Sequence, residues 1–194
     1  MYHSGDMNAV LHFKALRLGP ITLHRIAEDN LTTLWDQLSQ HPDAGYMLRE
    51  LETSYLPKWD AEGRPTKIGF YATLDGVLAG MSLLGISSWR DLRGYTGADT
   101  LMHMRGRGVA PGSKPHLFYV GFHLLGLNRI ETGCFISNSA SRRSIEKTPG
   151  FVCEGTLRSY ARNADDQFED ELRYAILRED WTRLYDPDRV QCIN

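Results

Sequence analysis

An α/β (α+β) single domain on a mixed sheet is what the sequence predicts, and three observations carry the prediction. Apolar residues recur with a period of two in some stretches and of three to four in others. These patterns follow one another as β-α-α-β-β-β-α-β-α-β-β, with turn residues at the joins. A length of 194 residues, 42% hydrophobic and 24% charged, suits one domain around one substantial core.

Residues 1–18 read as a flexible or peripheral segment, with a possible short element at Val10–Leu18. Gly19-Pro20 punctuates the chain, and Ile21–Ile26 alternates as a first strand. Asp29 or Asn30 can cap a helix carrying Leu31, Leu34, Trp35 and Leu38, which Gln40-His41-Pro42 ends. A second helix over Ala44–Leu56 presents Met47, Leu48, Leu51 and Tyr55 on one side, and a loop follows to Pro65. Ile68, Phe70, Ala72 and Leu74 alternate, Asp75-Gly76 supplies a tight turn, and Val77–Ile86 runs back as the second arm of a hairpin. Ser88–Gly97 reads as a loop and Ala98–Met104 as a short strand.

Arg105–Gly112 is a glycine-rich loop, followed by a helix over Ser113–Leu125 with Pro115 in its first turn and a stripe of Leu117, Phe118, Gly121, Leu124 and Leu125. Asn128–Phe135 is a strand and Ser139–Lys147 a short helix closed by Pro149-Gly150. Phe151–Ala161 and Phe168–Leu177 form two strands across a polar turn, and a last helical turn begins near Asp180. The expected domain therefore spans residues 19–186, with 187–194 as a tail.

Composition narrows the function. Twenty-two basic residues against 24 acidic ones give a net charge near −2, which makes no electrostatic case for nucleic acid or a membrane surface. Val77–Ile86 and Leu117–Leu127 are too short to cross a bilayer, and the polar start lacks a signal-peptide pattern. Cys134, Cys153 and Cys192 are odd in number and widely spaced, so neither a disulfide framework nor a zinc site is suggested. The expectation is a cytoplasmic protein without a metal.

The chemistry concentrates in Arg105-Gly-Arg-Gly-Val-Ala110, between a strand and a helix. Glycines let backbone amides approach an anion, the helix start adds unpaired N–H groups and positive dipole, and Arg105 and Arg107 add charge suited to phosphate. This is a diphosphate cradle, although Gly106 and Gly108 could equally build a plain tight turn. A Rossmann site fits poorly because Pro111 stands at the third glycine position, and no P-loop pattern is present.

Arg105-x-x-Gly108-x-Ala110 resembles the [QR]-x-x-G-x-[GA] pattern of the GNAT superfamily of acyl-CoA N-acyltransferases. Gly126–Glu131, Asn138–Ser141, Glu146–Phe151, Glu154-Gly155, Leu157-Arg158, Asp170–Ile176 and Glu179–Trp181 follow in the order and spacing of its RimJ/RimL-like branch, over about residues 100–181. The resemblance implies a mostly antiparallel sheet of about seven strands, flanked by four to five helices, in which the fourth and fifth strands splay apart. It implies that Arg105, Gly106, Arg107, Gly108, Val109 and Ala110 bind the pyrophosphate of acetyl-CoA, and that Asn138 contacts the CoA arm. An acetyl group would then pass by direct attack to a primary amine, either a protein N-terminus or a small molecule, in a monomer or homodimer.

A tyrosine acid used by many such enzymes would fall at Ile145, so Ser141 becomes the candidate general acid and a contact of the cofactor; alternatively its hydroxyl serves only the helix start. The base is open among Asp99, His103 and Glu131. The acceptor is expected over the second helix and the Ser88–Gly97 loop, near Tyr46, Tyr55, Trp59, Trp89 and Tyr95 with Glu50, Glu52 and Asp60. A non-catalytic acyl-CoA-binding protein on the same fold is the alternative from another class, and a phosphate-binding domain unrelated to CoA is a third.

Overall fold

The computed structural model describes residues 11–194. Met1–Val10, part of the segment expected to be peripheral, lies outside the described residues. Within them the strands are β1 (Ala15–Leu18), β2 (Ile21–Arg25), β3 (Lys58–Trp59), β4 (Pro65–Leu74), β5 (Val77–Ser88), β6 (Arg93–Thr100), β7 (Arg129–Phe135), β8 (Val152–Arg162), β9 (Phe168–Leu177) and β10 (Gln191–Ile193). The α-helices are α1 (Glu28–Ser39), α2 (Gly45–Glu50), α3 (Val109–Phe118), α4 (Ser139–Glu146) and α5 (Arg178–Leu184). π-helical turns extend α2 over Leu51–Tyr55 and α3 over Tyr119–Leu124. None of these helices is long and apolar enough to cross a membrane.

One sheet carries the molecule, in the order β10-β1-β2-β4-β5-β6-β7-β9-β8, with β3 paired to β4. Every pairing is antiparallel except β6 with β7. The mixed, mostly antiparallel architecture is the one expected, with ten strands where about seven were anticipated. Two of the additional strands come from segments assigned to the periphery. Ala15–Leu18 is inserted between β2 and β10, and Leu11, Phe13 and Leu16 are buried. Gln191–Ile193 closes the sheet on β1. The first segment is held by burial of apolar side chains, the second by backbone pairing, since all three residues of β10 are exposed.

β5 is buried from Leu78 to Ile86, which explains why apolar and polar residues do not alternate along it: both faces of the sheet are covered there. On one face lies α3 with Leu117, Phe118, Val120 and Phe122. The π-turn that ends α2 packs on β4 and β5, so closely that a Cβ on Gly69 would collide with the Tyr55 carbonyl. Leu34 and Leu38 of α1 join the same core.

Several boundaries differ from the sequence reading. Asp29 and Asn30 sit inside the first turn of α1, and Asn30 Oδ1 accepts the Ala27 amide at 3.0 Å. Arg93–Gly97, read as loop, belongs to β6, which ends at Thr100; small residues and a Tyr–Thr pair masked a strand that pairs with β5 along its length. α3 begins at Val109, four residues early, so Pro115 is interior to the helix. It therefore gives no N–H to the Pro111 carbonyl, and the first turns of α3 have one backbone bond fewer.

Candidate active site

The sheet forks between β6 and β7. The two strands pair in parallel only over Arg93–Tyr95 with Arg129–Glu131. At the vertex the Thr132 hydroxyl donates to the Thr96 carbonyl at 3.1 Å, and beyond it neither strand has a ladder partner on the facing edge. The expected splay of the fourth and fifth strands is therefore present, between Gly97–Thr100 on one side and Gly133–Phe135 on the other. Unpaired strand edges of this kind can hydrogen-bond an extended amide-bearing chain.

The glycine loop lies where β6 leaves the sheet. After a 3₁₀ turn over Met102–Met104, Gly106 and Gly108 adopt φ of 77° and 81°, left-handed values that side-chain-bearing residues resist. A Cβ on either would meet nothing within 4 Å, so conformation rather than crowding demands glycine, and the space in front of the loop is open. The amides of Gly106, Arg107, Gly108, Val109 and Ala110 have no acceptor among the described residues, and Pro111 has no N–H to add. Arg105 and Arg107 are exposed and form no ion pair with a described residue. Five unpartnered amides, two exposed guanidinium groups and the N-terminus of a ten-residue helix make this stretch suited to an anion.

Asn138 and Ser141 stand at the start of α4, just past the end of β7. Asn138 Oδ1 accepts the Ser141 amide at 3.0 Å, so the asparagine is the helix cap and its exposed amide nitrogen stays available. The Ser141 hydroxyl faces the Cys134 thiol: burial pushes that thiol up, and the serine hydrogen bond partly offsets the shift. Ile145 is buried against Cys134 and Tyr174, so the position where a tyrosine would reach the fork holds a core residue.

The three proposed bases separate clearly. Glu131 is bound by Arg129 Nε at 2.7 Å, and Arg129 also grips Glu154 on β8. His103 has left the strand for the 3₁₀ turn and stacks on His41. Asp99 alone is on β6 beyond the vertex, mostly buried, and accepts the Tyr55 hydroxyl at 2.6 Å. Burial raises the Asp99 carboxyl above the ordinary range, with the Tyr55 hydrogen bond opposing; the Tyr55 phenol is raised in turn by burial and then by Asp99. Of the acceptor-side residues, Tyr46 and Glu50 act electrostatically on Tyr55 and Asp99, and Tyr95 lies over Gly85. Asp60 instead pairs with Arg64, and Trp89 donates to the Pro65 carbonyl, which removes both from the group.

The sequence reading missed Lys114. It is 4% exposed, with Nζ 2.9 Å from the Thr96 hydroxyl, and desolvation lowers its pKa to about 7. Its spacing from Leu117, Phe118 and Gly121 (i+3, i+4, i+7) places it on the apolar stripe, a signal present in the sequence. Thr96 and Asp99, three residues apart on one strand, face opposite sides of the sheet. Lys114 and the glycine loop thus belong to the α3 face and Asp99 with Tyr55 to the α2 face, and the fork joins the two.

The sequence matches no protein-family model and no curated protein at a significant level. Solved structures match it over most of its length. A spermidine N-acetyltransferase SpeG chimera from Vibrio cholerae and hSSAT is 16% identical with a TM-score of 0.65, covering 85% of this chain and 99% of its own. A provisionally assigned acetyltransferase from T. thermophilus is 20% identical with a TM-score of 0.65, over 89% of this chain and 97% of its own. SpeG from Vibrio cholerae solved with manganese ions is 15% identical at a TM-score of 0.63, over 86% and 98%. The chain has the GNAT fold.

Proposed function

We propose that this protein is an N-acyltransferase of the RimJ/RimL-like type, which moves an acetyl group from acetyl-CoA to a primary amine. The observation that carries the reading is the run of five unpartnered amides from Gly106 to Ala110, set beside the fork of the sheet. A pyrophosphate fits the loop, with Arg105 and Arg107 neutralising its charge. From there the pantetheine arm enters the fork, where the free edges of β6 and β7 pair with its amides and Asn138 meets its outer part. The thioester then lies beyond the Thr96–Thr132 vertex, opposite Asp99.

In the reaction an N–C bond forms as the C–S bond breaks. The amine nitrogen must first lose the proton it carries at neutral pH, since a primary ammonium has a pKa of about 10. Asp99 receives it, directly or through water; the Tyr55 hydroxyl, which donates to the carboxylate, supports this reading. Free amides of β6 stabilise the oxyanion, and Ser141 supplies a proton to the departing thiolate after its hydroxyl turns from Cys134. Tyr46, Glu50 and Asp99 form a polar, acidic wall suited to an amine. The likeness to spermidine N-acetyltransferases puts polyamines first in an acceptor screen, before peptides with free N-termini.

Ile145 in place of the tyrosine acid favours a second reading, a protein that binds acyl-CoA without turning it over. Two measurements on the purified chain decide. Saturating acetyl-CoA at about 100 times its dissociation constant adds roughly 2.7 kcal/mol, several degrees in Tm for a chain of this size. An enzyme then releases free thiol when amines are added, and a binder does not. No Tm shift at millimolar acetyl-CoA would remove both readings.

A further inference from the structure

Where the α1–α2 connection passes the end of β6, three metal-ligating side chains from distant parts of the chain converge. One ligand atom each of His41, Asp43 and His103 lie within 4.8 Å of one another. The two imidazole rings stack with centroids 4.9 Å apart, and neither has a side-chain hydrogen bond to a described residue. Asp43 Oδ2 accepts the Met102 amide at 2.5 Å, which fixes the carboxylate beside His103 and leaves Oδ1 free.

Two imidazoles and a carboxylate are the donor set of a three-ligand zinc site with an open position for water. Calcium and magnesium favour oxygen donors throughout and are poorly served. Bonds of about 2.0–2.2 Å put tetrahedral donors roughly 3.4 Å apart, so the three side chains need only rotate inward to close on an ion. His103 is exposed and His41 and Asp43 half-buried, which leaves them room to do so. The hydrogen bond from Met102 would act as the outer support such sites use to orient a carboxylate.

We propose that His41, Asp43 and His103 form a binding site for one Zn²⁺-class divalent cation, which clamps the α1–α2 connection onto the turn leading from β6 into the glycine loop. The clamp joins two segments 59 residues apart, which already meet through the Asp43–Met102 hydrogen bond and the His41–His103 stack. Arg105 follows the clamp by two residues, so the ion stiffens the approach to the loop. The site is independent of whether the protein transfers acyl groups.

The test uses tag-free full chain. Calorimetric titration with ZnCl₂ should show one ion per chain, and Co²⁺ should give the visible d–d absorption of a tetrahedral site. His103→Ala and Asp43→Asn should each weaken binding at least about tenfold and abolish the Co²⁺ band. The exposed His123→Ala control should leave both unchanged. Zn²⁺ should also slow amide exchange over residues 40–44 and 101–104 together. Metal-free unfolding of each variant at the wild-type temperature establishes that the fold is intact. Equal affinity in wild type and both variants, or no binding at about 100 μM Zn²⁺, would overturn the proposal. So would a thiolate-to-cobalt charge-transfer band, which would assign the ion to Cys153 or Cys192.

Discussion

Replacing Lys114 with methionine should remove a pH-dependent burden on folding. The side chain is fully enclosed, its one described hydrogen-bond partner is the neutral hydroxyl of Thr96, and burial lowers its pKa to about 7 with Asp99 opposing. An unfolded lysine titrates near 10.4. Between these values the unfolded chain binds about one more proton than the folded one, so stability rises with pH through that window, by up to about 1.4 kcal/mol per unit. At pH 7 the lysine therefore costs about 4 kcal/mol relative to a group that does not titrate, and at pH 9 about 2 kcal/mol. Methionine fills similar volume and forfeits one hydrogen bond, a loss of about 1 kcal/mol. Lys114→Met should thus be the more stable protein at pH 7, by about 3 kcal/mol. Urea unfolding of both proteins at pH 7, 8 and 9 reads the difference, and groups common to both cancel. The advantage should shrink by about 2 kcal/mol from pH 7 to pH 9. Parallel stabilities over that range would refute the reasoning, because Lys114 would then keep an ordinary proton affinity through water or an anionic partner.

Three further outcomes follow from the site. Gly108→Trp should fold but lose CoA affinity at least about tenfold, because any side chain at φ 81° is strained by about 1–2 kcal/mol and this one fills the phosphate space; unchanged affinity by calorimetry would sink the pyrophosphate assignment. Ser141→Ala should lower kcat while leaving the KM for acetyl-CoA nearly unchanged, and equal rates would remove the hydroxyl from the reaction. Asp99→Asn should cut kcat by about a hundredfold or more and abolish the rise of rate with pH that tracks loss of the Asp99 proton. Burial raises that carboxyl, so the folded protein binds more protons than the unfolded chain above the ordinary carboxylate range. The same variant should accordingly lose a fall in stability as pH rises through that window.

The sequence was most legible where local chemistry is strong. Asp75-Gly76 placed the hairpin because both residues take positive φ, and Gly106 and Gly108 marked the left-handed loop that leads into α3. Where tertiary packing decides, the pattern misled. Leu11, Phe13 and Leu16 show no local feature that separates a buried strand from a loose arm, and their burial depends on β2 and β10 lying alongside. Arg93–Gly97 reads as loop because β6 is rich in small residues; one of them, Gly94, has no room for a Cβ between the Gly85 carbonyl and Leu127. Tyr55 was visible as an aromatic of the second helix, but its pairing with Asp99 joins residues 44 positions apart. His41, Asp43 and His103 were equally unreadable as a group, since only the fold brings the α1–α2 connection to the end of β6.

The fork explains why groups of such different character share this place. An ordinary ladder would continue past Thr96 and Thr132 and close the sheet; here a side-chain hydrogen bond ends it. What lies beyond is an opening from the α3 face, which carries the anion loop, to the α2 face, which carries Asp99 and Tyr55. A donor anchored by its phosphates on one face and an amine held by carboxylates on the other can meet only through such an opening. The two faces also need opposite electrostatics, positive at Arg105 and Arg107, negative at Glu50 and Asp99. Lys114 at the vertex adds no fixed full charge between them, because burial lowers its pKa to about 7. A permanently charged arginine there would draw Asp99 toward ionisation and lower the basicity that the proposed proton transfer uses.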